Sequence, residues 1–300
     1  MVKKYFYYSF IGMVFVTSFS AFITACTKAY TLSPLSSAAP TSTFTPTATS
    51  IPLIQQWSAT YPEGVAVSSL GNVFVTSDNP STDCYKFSST GSFVSLVPSG
   101  DIEVAADSLG NIYYGDVTKM TDGLVYETSW THTSLTALAT DSTGNFYCLN
   151  VGTPFVQEYS GTGTLIRSWG LVVGSATGAL NTPTAIAVDA SGNVLIADWN
   201  NYRIVEFTNA GAYITEWGSA GTGPNQFRGP EGIAITPAGY IYVTDSNNNN
   251  VQKFTSSGTY VSTWTTSGPS MDVAEGIASD SSGNLYIADW GNNRILKVAF

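Results

Sequence analysis

Charge is scarce in this chain. Asp, Glu, Lys and Arg make up 11% of its 300 residues, against roughly 25% in typical usage. That excludes a coiled coil or a solvated helical bundle. Histidine is scarcer still: His132 stands alone, so a zinc centre built on three histidines is impossible and a His-based triad has no residue in reserve. Basic residues are also few. From residue 52 onward eight Lys and Arg face 21 Asp and Glu, a balance of −13. A body this acidic is repelled by phosphate backbones, so nucleic acid is not an expected partner. What is plentiful is aromatic and turn-forming: 13% Phe, Trp and Tyr, with 28 Gly and 13 Pro. This suits an all-β protein and argues against wholesale disorder.

The first 51 residues read as an address and a spacer. Lys3-Lys4 precede an apolar stretch from Tyr5 to Ala25 that ends in Ile23-Thr24-Ala25-Cys26. A basic start, an apolar run and small residues before a cleavage point make an export signal, here residues 1–25. The tetrapeptide resembles the bacterial lipobox, which implies lipidation of Cys26 as the mature N-terminus. The alternative is an uncleaved anchor, since about 20 apolar residues can span a bilayer. Either way the remainder is expected outside the cytoplasm, in the cell envelope, held to the membrane only through that anchor. Fourteen of the twenty residues Thr31–Ser50 are Ser, Thr or Pro. Such a segment cannot bury enough apolar surface to offset its ordering entropy, so residues 26–51 are expected to form an extended tether.

The body, residues 52–300, repeats six times. The repeated phrase is an apolar triplet, often an Asp, two small residues, Gly-Asn, then an aliphatic and aromatic run. Val65–Asn72, Val104–Asn111, Leu138–Asn145, Ile186–Asn193, Ile233–Tyr240 and Ile277–Asn284 follow it, with the glycines at 71, 110, 144, 192, 239 and 283. Strand, Gly turn, strand is a hairpin. A third strand follows (Tyr202–Phe207, Val251–Phe254, Arg294–Val298), then a fourth ending in Trp (Tyr213–Trp217, Tyr260–Trp264). Four short strands per unit with no helical period predict a six-bladed β-propeller. The sixth unit stops after its third strand, and Leu53–Trp57 is a Trp-ending strand without a unit of its own. That N-terminal strand is expected to complete the last blade and close the ring.

Ala187–Asn193, Ile196-Ala197-Asp198 and Asn201–Ile204, with Ile287-Ala288-Asp289 and Asn293-Arg294-Ile295, resemble the NHL-repeat family of β-propellers. The likeness is strong in repeats four to six, moderate in one, and weak in two and three. It implies the fold and says little of function, because the family includes sensors, scaffolds, RNA binders and some enzymes. The single histidine sets this chain apart from the zinc-dependent amidating lyases and the antibiotic-cleaving lyases on similar propellers.

Aligned on the repeat, Cys84 and Cys148 occupy aliphatic positions in blades that do not touch, so both are expected as buried thiols. His132 falls in a loop. Trp57, Trp130, Trp169, Trp217 and Trp264 recur on outer strands and read as blade packing. Trp199 and Trp290 lie in the loop between second and third strands, where an aromatic can stack on a sugar or anchor a protein; the alternative is packing over their own turn. Asp198, Asp245 and Asp289 recur near Arg203, Lys253 and Arg294 and read as blade staples first, as binding-face charges second.

The residue two before the first inner-strand aliphatic is Glu63, Ile102, Thr136, Thr184, Glu231 and Glu275 in turn. Blade six adjoins blade one, so Glu231, Glu275 and Glu63 are expected as neighbours at one channel mouth, with Glu103 extending the arc. Converging carboxylates repel unless a cation offsets them, and Ca2+ takes six to eight oxygen ligands. The expected function is a monomeric, membrane-tethered binding or scaffold propeller for a protein or cell-envelope carbohydrate. Its face would comprise Glu63, Glu231, Glu275, Trp199, Trp290, Asp198 and Asp289. No catalytic residue is assigned. The rival is a metal-dependent hydrolase resembling the six-bladed lactonases, with Ca2+ on the three glutamates; Thr136 and Thr184 at the repeat position weaken it.

Overall fold

Each inner hairpin closes through one glycine. Gly71, Gly110, Gly144, Gly192, Gly239 and Gly283 all have φ between +81° and +89°, which a side chain would oppose. Each donates its N–H to the carbonyl three residues back, at 2.8–3.3 Å. In four blades Asp107, Asp141, Asp189 or Asp280 opens the turn, its Oδ1 accepting the N–H groups two and four residues on at 2.7–2.9 Å. The recurring Asp and Gly are therefore consumed in making the turn.

The computed structural model describes residues 53–78, 83–98, 103–115, 117–130, 135–153, 155–170, 172–265 and 270–299. These form six antiparallel four-stranded sheets. Blade one is β2 (Pro62–Val67), β3 (Val73–Ser77), β4 (Asp83–Phe87) and β5 (Phe93–Pro98). Blade two is β6 (Val104–Ala106), β7 (Asn111–Tyr114), β8 (Thr118–Thr121) and β9 (Tyr126–Ser129). Blade three is β10 (Leu135–Thr140), β11 (Phe146–Asn150), β12 (Val156–Tyr159) and β13 (Leu165–Trp169). Blade four is β14 (Pro183–Val188), β15 (Val194–Asp198), β16 (Arg203–Phe207) and β17 (Tyr213–Trp217). Blade five is β18 (Pro230–Ile235), β19 (Ile241–Asp245), β20 (Asn250–Phe254) and β21 (Tyr260–Trp264).

Blade six holds β22 (Ala274–Ser279), β23 (Leu285–Asp289) and β24 (Arg294–Val298), and β1 (Leu53–Ser58) completes it. β1 runs antiparallel to β24, with Trp57 opposite Ile295 and Ser58 opposite Arg294. The ring is thus closed by its own N-terminal strand. The inner strands β2, β6, β10, β14, β18 and β22 each contact their neighbours in a closed circuit. The second strands β3, β11, β15, β19 and β23 are buried at every residue, which explains why they read as continuous apolar runs.

Outer-strand tryptophans seal the blades. Trp57, Trp130, Trp169 and Trp217 each lie on the turn glycine of the next blade: Gly91, Gly163, Gly211 and Gly258, where a Cβ would enter the indole. Trp264 is buried in the cluster with Leu296, Val298 and Leu53. Among the described residues no helix is long and apolar enough to cross a membrane. The signal, Cys26 and the tether lie outside the described residues.

Candidate functional site

The pairing of Pro62 with Ser77, Pro183 with Asp198 and Ala274 with Asp289 sets the start of each inner strand and the end of each second strand at one end of the channel. This loop end carries every side chain singled out above as a binding candidate. They differ sharply in what they offer.

Asp198 and Asp289 are fully buried, as is Asp245. Asp198 accepts the Asn181 N–H at 2.7 Å, Asn201 Nδ2 at 2.7 Å and Arg203 Nε at 2.9 Å. Asp289 repeats the pattern with the Asp272 N–H at 2.8 Å, Asn292 Nδ2 at 3.0 Å and Arg294 Nε at 2.6 Å. These carboxylates tie the entry loop of a blade to its second-to-third-strand turn, and they face inward rather than toward a ligand. Burial pushes the Asp198 carboxyl above its ordinary range, while the bonds from Asn201, Asn181 and Arg203 pull it down. In blade five the register partner of Asp245 is Asn250 rather than Lys253. Lys253 lies instead 4.0 Å over the Tyr240 ring. Arg203 spends its remaining donors on Glu216 at 3.0 Å and on the carbonyls of Ser175, Ala176 and Ala179 at 2.7–3.3 Å, fixing the loop that enters blade four.

The three glutamates stand at equivalent positions on β2, β18 and β22, which adjoin around the ring. Each Glu-Gly pair forms a bulge: the ladder shifts between Pro62 and Val65, Pro230 and Ile233, and Ala274 and Ile277. The Gly64 and Gly232 N–H groups donate to Thr76 Oγ1 at 2.9 Å and Thr244 Oγ1 at 2.7 Å. Thr244 Oγ1 in turn donates to the Glu275 carbonyl at 2.6 Å, across the blade boundary. A Cβ on Gly276 would strike the Glu63 carbonyl of the next blade. The dipeptide therefore lets adjacent inner strands approach at the axis. Glu63 and Glu231 are buried and Glu275 is half-buried. Among the described residues no three His, Cys, Asp or Glu side chains are gathered as metal ligands would be, Glu63, Glu231 and Glu275 included.

Trp199 and Trp290 each open a single 3-10 turn, Trp199–Asn201 and Trp290–Asn292. Both are half-buried and lean on the following blade. The Trp199 indole lies over Gly229 at the entry of blade five. Trp290 packs on Tyr61 at the entry of blade one, ring centroids 5.6 Å apart at 45°. Tyr61 is 43% exposed, so this pair presents aromatic surface at the inner rim. Tyr61 carried no signal in the repeat, because its partner lies in the last blade.

Cys84 and Cys148 are buried free thiols on β4 and β11, both pushed up to about 12 by desolvation. His132 and Ile102 lie outside the described residues. At the opposite, hairpin end the channel widens into a cavity of about 710 Å³ lined by residues of all six blades. The sequence reading passed over it. Its signal was the hydroxyl that follows the turn-opening residue in four repeats, Ser69, Ser108, Ser142 and Ser281.

Fold and site define a closed six-bladed β-propeller. The NHL repeat signature matches residues 180–207, 227–254 and 272–298, which are blades four, five and six, so the chain carries NHL repeats there. Similar solved structures include an auxiliary nutrient binding protein from Bacteroides thetaiotaomicron, at 15% identity and TM-score 0.63, covering 81% of this chain and 69% of that one. Virginiamycin B lyase from Staphylococcus aureus is similar at 14% identity and TM-score 0.56, covering 82% and 98%. The calcium-binding protein regucalcin from Agrobacterium tumefaciens is similar at 10% identity and TM-score 0.60, covering 84% and 96%. At such identities the likeness is one of fold. No curated protein matches the chain in sequence.

Proposed function

We propose that the chain is a membrane-tethered, extracytoplasmic binding or scaffold propeller that holds a protein or cell-envelope carbohydrate on its loop end. The observation that carries the reading is the Trp290–Tyr61 pair: two aromatic rings at the channel rim, one of them 43% exposed, on a rigid ring. Aromatic faces stack on sugar rings and anchor protein partners. Arg203 and Asp289 hold the adjoining loops in place, so the surface is presented at low entropic cost. The lipobox-like Ile23–Cys26 and the Ser/Thr/Pro tether supply the anchor and the reach.

The test is capture from envelope extract by the chain beginning at residue 52, with and without chelator, for wild type and Trp290→Ala. Selective capture of a protein or glycan that Trp290→Ala loses and chelator does not disturb is the expected result. Capture unchanged in Trp290→Ala would overturn the site, and capture abolished by chelator would return the metal-dependent reading. Envelope fractionation of Cys26→Ala tests the anchor: release from the membrane fraction is expected.

A further inference from the structure

The loop end does not account for the cavity at the hairpin end, which is as large as a small-molecule site needs to be. Its throat is formed by the last residues of the inner strands and the first of the second strands, among them Val67, Val188, Leu195, Ile235 and Ile241. Its lip is made by the hairpin turns, where Ser69, Ser108, Ser142, Ala190 and Ser281 are exposed. Apolar walls below a ring of hydroxyls suit a ligand with an apolar body and one polar end.

The sign of that end follows from the lining charges. Asp107, Asp189 and Asp280 line the cavity, and no Lys, Arg or His does. Their hydrogen-bond donors are neutral N–H and O–H groups of the turn, Asn111, Asn193, Asn284, Tyr113 and Tyr286, which do not offset the formal charge. Asp280 has a basic partner, Lys297 at 4.0 Å. Among the described residues no basic side chain pairs with Asp107 or Asp189. A concave site of one sign with low-dielectric walls concentrates the opposite charge. We infer that the hairpin end is a second binding site, distinct from the loop end, for a small organic cation with an apolar body.

A matched series tests this on the chain beginning at residue 52: 4-phenylbutylamine, 4-phenylbutan-1-ol and 4-phenylbutyrate share one apolar body and differ in charge. Titration calorimetry should rank them amine, alcohol, acid, with the acid at least about tenfold weaker than the amine. Ala190→Trp fills the mouth from an exposed turn position, and Ser142→Lys reverses the local charge without filling it. Both should weaken the amine at least about fivefold, while Leu70→Trp, on a turn but outside the lining, leaves its affinity unchanged. If Ala190→Trp fails to fold, Ser142→Lys decides alone. Absence of amine binding, acid binding as tight as amine, or amine affinity indifferent to both lip variants would each overturn the inference.

Discussion

The seam between blades four and five and the seam between blades one and two are closed by different residues. At the first, Trp217 of one blade covers Gly258 of the next, and its ring packs against Phe254 at a 50° tilt, centroids 6.0 Å apart. At the second, blade one has no outer-strand Trp. Its Lys86 reaches the turn of blade two, as Lys119 and Lys297 reach the turns of the blades after theirs, but here it also meets a carboxylate, with Nζ 2.9 Å from Asp122 Oδ1. Ser68 Oγ and Asn72 Nδ2 complete the set on Asp122 at 2.8 and 3.0 Å. Both Lys86 and Asp122 are buried. An apolar key draws on area removed from water and is indifferent to pH. A buried ion pair repays its desolvation only while both partners stay charged and fully bonded. The repeat signature is matched in blades four to six and not in one to three. Leu124 takes the place of the turn glycine at the second seam, with φ +64° and its side chain packed against the cluster of Cys84 and Val97, so the blade that lacks the tryptophan is met by a side chain from its neighbour.

The largest expected effect breaks the ring at its closure. A chain beginning at residue 53 should melt like one beginning earlier, whereas one beginning at residue 59 loses Trp57 and five ladder pairs. Trp57 alone contributes about 1.5–3 kcal/mol, and each lost pair about 0.5–1.5 kcal/mol per hydrogen bond. Equal melting temperatures for the two would overturn the assignment of β1. Next is Asp198→Ala, which strands Arg203 and the Asn181 N–H in the interior. Chemical denaturation should report a loss of about 3–5 kcal/mol, the range for removing one partner of a buried pair.

The two seams can then be compared at one turn position. Gly258 has φ +76° and Trp217 against it, while the same turn position in blade two is Leu124, with φ +64° and its side chain against the cluster shared with blade one. Gly258→Ala should cost about 1–2 kcal/mol from the backbone alone, with the indole contact added, whereas Leu124→Gly should regain that backbone term while losing apolar packing, for a smaller net cost. Similar costs at both would sink the contrast.

Smaller effects depend on pH. Burial raises the Asp122 carboxyl, but the bonds from Lys86, Asn72 and Ser68 outweigh it and hold the group below its ordinary value of 3.8. Its contribution is therefore complete above that value and lost as pH falls through the lower, folded one. Asp122→Asn should be less stable than wild type at pH 7 and should flatten the acid limb of stability against pH. Glu206 has the opposite sign. Burial and the Asp189 charge raise it above 4.5, with Asn193 opposing. The stability of its protonated form is full below 4.5 and lost as pH rises through the folded value. Glu206→Gln should raise Tm slightly at pH 7 and not at pH 4, and a fall at pH 7 would refute it.

Much of this fold is legible in the chain because its units are phased. The six glycines recur where a left-handed turn residue is required, and the Trp-ending strands mark the outer edge. The fourth strands Tyr213–Trp217 and Tyr260–Trp264 are found at the predicted residues. Less was legible at the site. Glu63, Glu231 and Glu275 read as a charged arc, yet the neighbouring glycine governs the position, since bulge and blade contact bury two of the three. Asp198 and Asp289 read as either staples or face charges, and only the direction of the carboxylate separates the two. Tyr61 could not be paired with Trp290 from sequence, since the two are 229 positions apart.

By itself the sequence determined the number of blades, the four-strand unit, the hairpin glycines and the strand that closes the ring. All of these follow from local backbone preference and a repeated hydrophobic pattern, which need no partner to be read. Only the tertiary structure decided which polar side chains turn inward and which reach solvent, that Lys86 and Asp122 pair across a seam without a tryptophan, and that hydroxyls and aspartates from separate blades surround one cavity. Those outcomes depend on residues tens to hundreds of positions apart meeting at the axis and the seams, where burial assigns each group its partner.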